Sequence, residues 1–125
     1  QKRQIFSWYQ DRLGPQTSLV LNVEPENVRN SYWMVTIVPQ NKDAPDKFSL
    51  QTQLAKKQID SRPFFSRLTT LKPYREIGRC AGTLPSKPNG AHVALHGLNL
   101  PSGYNMNEEL VDRVCSELMG ILNRS

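Results

Sequence analysis

Eight consecutive positions, Ser31-Tyr32-Trp33-Met34-Val35-Thr36-Ile37-Val38, hold the longest aromatic and β-branched run in the chain, and they constrain its fold most. A strand alternates its side chains, so this run sets Trp33, Val35 and Ile37 on one face and Tyr32, Met34, Thr36 and Val38 on the other. Both faces are largely apolar, which predicts an interior strand covered on two sides. Pro39 has no N–H to donate and ends the ladder. The other elements are expected to pack around this strand.

Periodicity places three helices about it. In residues 1–13, Ile5, Tyr9 and Leu13 recur at helical spacing and Phe6 and Trp8 widen the stripe. Gly14-Pro15 is the expected stop, with glycine as a left-handed cap. No N-cap residue precedes Gln1, which implies a natural chain that continues upstream. Residues 18–23 form a short strand, followed by a loop through Asn30. Asp46 caps a helix over about 47–58, with Leu50 and Leu54 buried, Phe48 near the start, and Lys56 and Lys57 against the dipole. Residues 59–62 are extended before Pro63. Residues 63–96, rich in proline and glycine, read as irregular chain with a helical turn near 89–96. Leu98-Asn99-Leu100 is a short strand. Asn107 caps the last helix, 108–122, whose apolar face runs through Leu110, Val111, Val114, Cys115, Leu118, Ile121 and Leu122. The fold class is therefore α+β: one domain, with a small mixed or antiparallel sheet packed with helices.

No apolar run reaches the roughly 20 residues that span a bilayer, so no membrane is expected as a partner. Cys80 and Cys115 form no C-x-x-C pair, which favours a reducing, cytoplasmic setting. The net charge of +5 is concentrated: residues 42–79 carry nine Lys/Arg against four acids, while residues 107–125 carry four acids against two bases. Such a basic centre attracts nucleic acid, anionic lipid or a phosphorylated small molecule.

Few residues suggest chemistry. His92 and His96 are four apart, as two metal ligands on one helical face would be, but no Asp or Glu lies between Glu76 and Glu108 to complete a site. No metal is expected, and the two histidines read as ordinary surface or partly buried residues. Cys115 on an apolar helix face reads as core, not as a nucleophile. Arg62, Arg67, Lys72, Arg75 and Arg79 interleave with Phe64, Phe65 and Tyr74, the parts of a nucleotide or single-strand site. A solvated loop anchored by its two phenylalanines accounts for them equally well. No phosphate-binding glycine loop, zincin helix or nucleophile elbow is present, and no self-contained catalytic or cofactor-binding set can be assembled.

Four stretches in order carry a resemblance: Asn30 to Val38, Ile59-Asp60-Ser61-Arg62-Pro63-Phe64-Phe65, Leu98-Asn99-Leu100-Pro101-Ser102-Gly103, and Asn107 to Val114. Together they resemble the C-terminal small domain of the DegT/DnrJ family of sugar aminotransferases, and residues 1–13 resemble the segment linking its large domain to the small one. The resemblance implies the fold-type I aspartate aminotransferase architecture, homodimers, pyridoxal phosphate as cofactor, and transfer of an amino group, commonly from glutamate, to a nucleotide-linked keto-sugar for polysaccharide or antibiotic sugars. It also implies that the Schiff-base lysine and most phosphate contacts belong to a large N-terminal domain. None of the seven lysines here sits in a stretch like the family's lysine motif, so this chain alone is expected to hold no cofactor and to be inactive. By the same resemblance, Tyr32, Trp33, Arg62, Phe64 and Phe65 border the substrate cleft. Arg67-Leu68-Thr69 departs from the Pro-Leu-His or Pro-Leu-Ser run of many members, so a histidine contact to substrate is not implied. The alternative is a freestanding module that binds nucleic acid or a phosphorylated ligand through residues 62–79; under the family reading nucleic acid is not a partner.

Overall fold

The computed structural model describes residues 1–41, 43–67, 70–73 and 88–124. In chain order these form α1 (Lys2–Leu13), β1 (Leu19–Leu21), β2 (Val35–Pro39), α2 (Lys47–Lys56), β3 (Arg62–Pro63), α3 (Pro88–His96), β4 (Leu98–Leu100) and α4 (Glu108–Leu122). The strands make one sheet in the order β1-β2-β4-β3, with every pairing antiparallel. The expected α+β class holds, and the sheet is antiparallel, not mixed.

β2 is interior and all five of its residues are buried. Register pairs Leu21 with Ile37, Ile37 with Leu98 and Val35 with Leu100. Residues directly opposite share a face, so these side chains and Leu19 form one apolar surface. They join a single core with Ile5, Phe6, Tyr9 and Leu13 of α1, Leu50 and Leu54 of α2, and Val111, Val114, Cys115, Leu118 and Ile121 of α4. Burying each large aliphatic contributes about 1.5–3 kcal/mol. Leu110 lies at the edge of the α4 stripe and is partly exposed. The second face of the sheet is more polar: Thr36 Oγ1 donates to Asn99 Oδ1 at 2.8 Å across β2 and β4.

The caps follow local chemistry. Asp46 Oδ1 accepts from the N–H groups of Phe48 (2.9 Å) and Ser49 (3.2 Å), and Asn107 Oδ1 accepts from Leu110 N–H at 2.9 Å. Helix α2 ends with Gln58 in the left-handed region (φ 58°), where Gln58 N–H donates to Ala55 O and Ile59 N–H to Leu54 O. That is a Schellman closure, completed by buried Leu54 and Ile59.

Three readings need correction. Gly14 is not a left-handed cap: its φ and ψ are −57° and −37°, and a Cβ there would strike the backbone oxygen and side chain of Gln10. Glycine serves for room, not for handedness. The central strand starts at Val35 instead of Ser31, because Tyr32 turns the chain with φ 48°. Trp33 consequently does not join the Val35–Ile37 face and is 61% exposed. Phe48 points outward and is 59% exposed. Residues 68–69 and 74–87, which include Tyr74, Arg75, Arg79 and Cys80 of the basic segment, lie outside the described residues.

Candidate functional site

Register relates the expected cleft residues to one another along the sheet. Val35 of β2 pairs with Leu100 of β4, and Arg62 of β3 pairs with Asn99. Arg62, opposite Asn99, is level with Thr36 of β2, so it lies two strands across and three residues in from the Trp33 end of the sheet. β3 then runs away from that end. Phe64 N–H donates to Gly97 O at 2.9 Å, and Phe65 follows it outward at 63% exposure. The two phenylalanine rings are in edge contact, with centroids 5.4 Å apart.

Arg62 shares a face with Asn99 and Thr36. Its side chain is exposed, and among the described residues it has no ion pair or hydrogen bond. Below it, Ser61 Oγ is buried and lacks a hydrogen-bond partner among the described residues.

Tyr32 is built in from α1. Arg3 and Phe6, three apart on one helical face, both meet its ring. Phe6 stacks on it at 3.7 Å and 10°, and the Arg3 guanidinium carbon lies 5.1 Å from the ring centroid. Arg3 also grips Glu24 with two parallel hydrogen bonds, Nη1 to Oε2 at 2.6 Å and Nη2 to Oε1 at 3.0 Å. The loop is closed on itself as well. Asn30 N–H donates to Glu24 Oε2 and Tyr32 N–H to Asn30 Oδ1. The Arg3 hydrogen bonds, then the Asn30 N–H, hold the Glu24 carboxyl well below its ordinary range, at about 2. Burial first, and then nearby Glu24, push the Tyr32 phenol up. A left-handed residue other than glycine costs roughly 1–2 kcal/mol, which the Tyr32 contacts offset. Sequence reading missed Arg3, Glu24 and Asn30. The Arg3–Phe6 spacing is the only signal for them, since Glu24 and Asn30 sit in a loop without period.

The remaining candidates are structural. His92 Nε2 lies 2.7 Å from Pro39 O and His96 Nδ1 lies 3.3 Å from Pro45 O, so each imidazole donates to a backbone carbonyl and pins α3 beside β2. No group of three metal-ligating side chains occurs among the described residues. Cys115 is buried, and desolvation pushes its thiol up to about 12, far from a nucleophile's range. A shallow pocket of about 150 Å³ beside Ser18, Asn41, Asp43 and Leu122 lies at the Pro39 end of β2, away from Trp33.

The described lysines do not fit pyridoxal phosphate. Lys47 is buried, with Nζ donating to Phe64 O at 2.7 Å; Lys2 donates to Ser102 O; Lys57 pairs with Glu117 at 3.2 Å. Lys56 and Lys72 are exposed. No described lysine faces a cleft with an acidic partner for a pyridine nitrogen, so no chemistry through that group is assigned to this chain.

Likeness to known proteins agrees with this fold. The chain is 30% identical over 118 residues to the GDP-perosamine synthase of Escherichia coli O157:H7, which covers 94% of this chain and 29% of that protein. It is 26% identical over 122 residues to the GDP-perosamine synthase of Vibrio cholerae, covering 98% of this chain and 32% of that one. It thus spans about 30% of the length of the curated relatives it matches. Spr1654 of Streptococcus pneumoniae, solved in PLP and PMP forms, shares the fold: its PMP form superposes with a TM-score of 0.81 at 15% identity, over 98% of this chain and 30% of that chain. Among the described residues no helix is long and apolar enough to cross a membrane. The profile of the DegT/DnrJ/EryC1/StrS aminotransferase family matches residues 1–119, and the chain belongs to that family.

Proposed function

We propose that this chain is the C-terminal small domain of a pyridoxal-phosphate aminotransferase acting on a nucleotide-linked keto-sugar, in the assembly of polysaccharide or other surface sugars. In this reading a large N-terminal domain carries the cofactor and its lysine. Residues 1–13 link that domain to residues 18–125, two copies form a homodimer in the cytoplasm, and the chain is not catalytic alone. Likeness to GDP-perosamine synthases supports the substrate class.

The observation that carries the reading is the family match over residues 1–119, at about 30% of the length of the curated relatives; exposed Trp33, and exposed Arg62 with no partner among the described residues, are the side chains assigned to the substrate cleft. A guanidinium in a planar fork suits a diphosphate or a hydroxyl-rich edge. An exposed indole suits the apolar face of a sugar ring. Tyr32, buried against Phe6, directly precedes Trp33 in the chain. Phe64 and Phe65, which follow Arg62-Pro63 in the chain, are assigned to the same cleft. The small domain's contribution is then orientation, which acts on rate by holding the reacting carbon in place.

The test is steady-state amino transfer from glutamate to a nucleotide-linked keto-sugar by the protein carrying this chain and its large domain. Trp33→Ala and Arg62→Ala are each expected to raise the sugar-nucleotide KM about tenfold with little change in kcat. Parental KM in both variants removes the cleft assignment. Absence of transfer by the cofactor-loaded parent, over a panel of nucleotide keto-sugars, removes the reaction.

A further inference from the structure

Trp33 is exposed, yet the residue before it is among the most constrained in the chain. Tyr32 is buried, left-handed at φ 48°, stacked on Phe6, and its N–H is bonded to Asn30. The loop from Asn22 to Asn30 is tied at both ends. Asn22 Oδ1 accepts from Thr36 N–H at 2.6 Å, and Asn30 Nδ2 donates to Val23 O at 3.2 Å. What joins this loop to α1 is Arg3, whose Nη1 reaches both Glu24 Oε2 and the backbone oxygen of Asn30 at 2.6 Å.

We propose that Arg3 and Glu24 are positioning residues for Trp33: with Phe6 and Tyr32 they clasp the loop to α1 and so fix where the indole stands at the sheet end. The causal chain is short. The Arg3–Glu24 fork fixes the loop against α1, Glu24 and Arg3 hold Asn30 by its N–H and its carbonyl, and Asn30 holds the Tyr32 N–H. With Tyr32 locked in a turn conformation that L-residues seldom adopt, the Cα of Trp33 has one direction to leave it. A displacement of α1 would reach Trp33 through the same contacts. The bidentate geometry suits this role, because a fork defines direction as well as distance.

The consequence for substrate rests on the cleft reading above; the positioning of Trp33 does not. The experiment separates them. The protein is labelled with 5-fluorotryptophan and the Trp33 fluorine resonance is assigned by its loss in Trp33→Phe. Arg3→Glu and Glu24→Arg are each expected to shift that resonance by more than its linewidth, and the double charge swap is expected to bring it back toward the parent. Glu24→Gln, a mild change in volume, is expected to shift it as well. An unmoved Trp33 resonance in folded Glu24→Gln overturns the clasp, as does a double swap that stays as displaced as the single variants. If a charge reversal fails to fold, Glu24→Gln and Arg3→Lys decide alone. Sugar-nucleotide KM in the same proteins is expected to rise about fivefold with kcat nearly kept. A shifted resonance with parental KM keeps the clasp and sinks the cleft reading instead.

Discussion

Gly97 lies between α3 and β4, and its substitution by alanine probes how tightly the edge of the sheet is joined to that helix. Its N–H donates to Val93 O at 2.8 Å and its carbonyl accepts from Phe64 N–H at 2.9 Å. A Cβ at this position would meet Val93 O at 2.5 Å and Phe64 Cβ at 2.8 Å. Neither neighbour is the free end of a flexible side chain, so the backbone of α3 or β3 must shift. Overpacking of this kind costs about 1–3 kcal/mol. Loss of the Phe64–Gly97 bond adds about 1 kcal/mol. Against these stands about 0.4–1 kcal/mol gained because alanine restricts the unfolded chain. The net expectation for Gly97→Ala is a destabilisation of about 1–3 kcal/mol. In urea, with a slope of about 1–3 kcal/mol per molar, the midpoint drops by roughly 1 M at unchanged slope. Amide exchange localises the effect, with the Phe64 N–H losing protection first. A midpoint equal to or above the parent's, with Phe64 still protected, would refute the argument that this glycine is kept for space.

Asn107→Ala removes the side-chain acceptor for Leu110 N–H and is expected to cost about 1 kcal/mol by urea unfolding, whereas Asn107→Asp keeps the acceptor and should cost little. Acid should weaken the protein through Glu24 and Asp112, whose carboxyls are held low by Arg3 and Arg12 respectively. A depressed folded-state value stabilises above the unfolded value and is lost as pH falls through the folded one. For Glu24 that window runs from an ordinary 4.5 down to about 2. Urea midpoints measured between neutral pH and about pH 3 should therefore fall less steeply in Glu24→Gln than in the parent. Equal slopes would show that the ion pair is screened to insignificance.

Much of the fold was legible because the helices announce themselves locally. Ile5, Tyr9 and Leu13 keep helical period, Asp46 and Asn107 are strong caps, and the observed α4 has the expected bounds of Glu108 and Leu122. Short strands were legible too, since Leu19–Leu21 and Leu98–Leu100 are bounded by turn formers. What failed was handedness of single residues. Neither the left-handed Tyr32 nor the right-handed Gly14 follows from residue type, because both are decided by contacts distant in sequence or by room beside a neighbouring turn. Tertiary packing overrode the local preference at each.

The candidate site is nominated by resemblance and residue type, and the register of the sheet adds how its residues are spaced. Arg62, Phe64 and Phe65 lie within four consecutive positions, and the family resemblance implied that they border one cleft. An extended chain advances about 3.3 Å per residue, so three steps carry Phe65 roughly 10 Å from Arg62. Which way it advances depends on register, and pairing Arg62 with Asn99 and Pro63 with Leu98 sends it away from Trp33. Arg62 is level with Thr36 and so is itself three residues along the sheet from Trp33. Contacts distant in sequence also fix the clasp: Arg3 and Glu24 meet because α1 lies along the loop that precedes β2. Residue type could nominate an indole and a guanidinium as ligand contacts. The order β1-β2-β4-β3 sets β2 and β3 two strands apart, and the clasp beneath Tyr32 gives the indole a fixed direction where the chain enters β2.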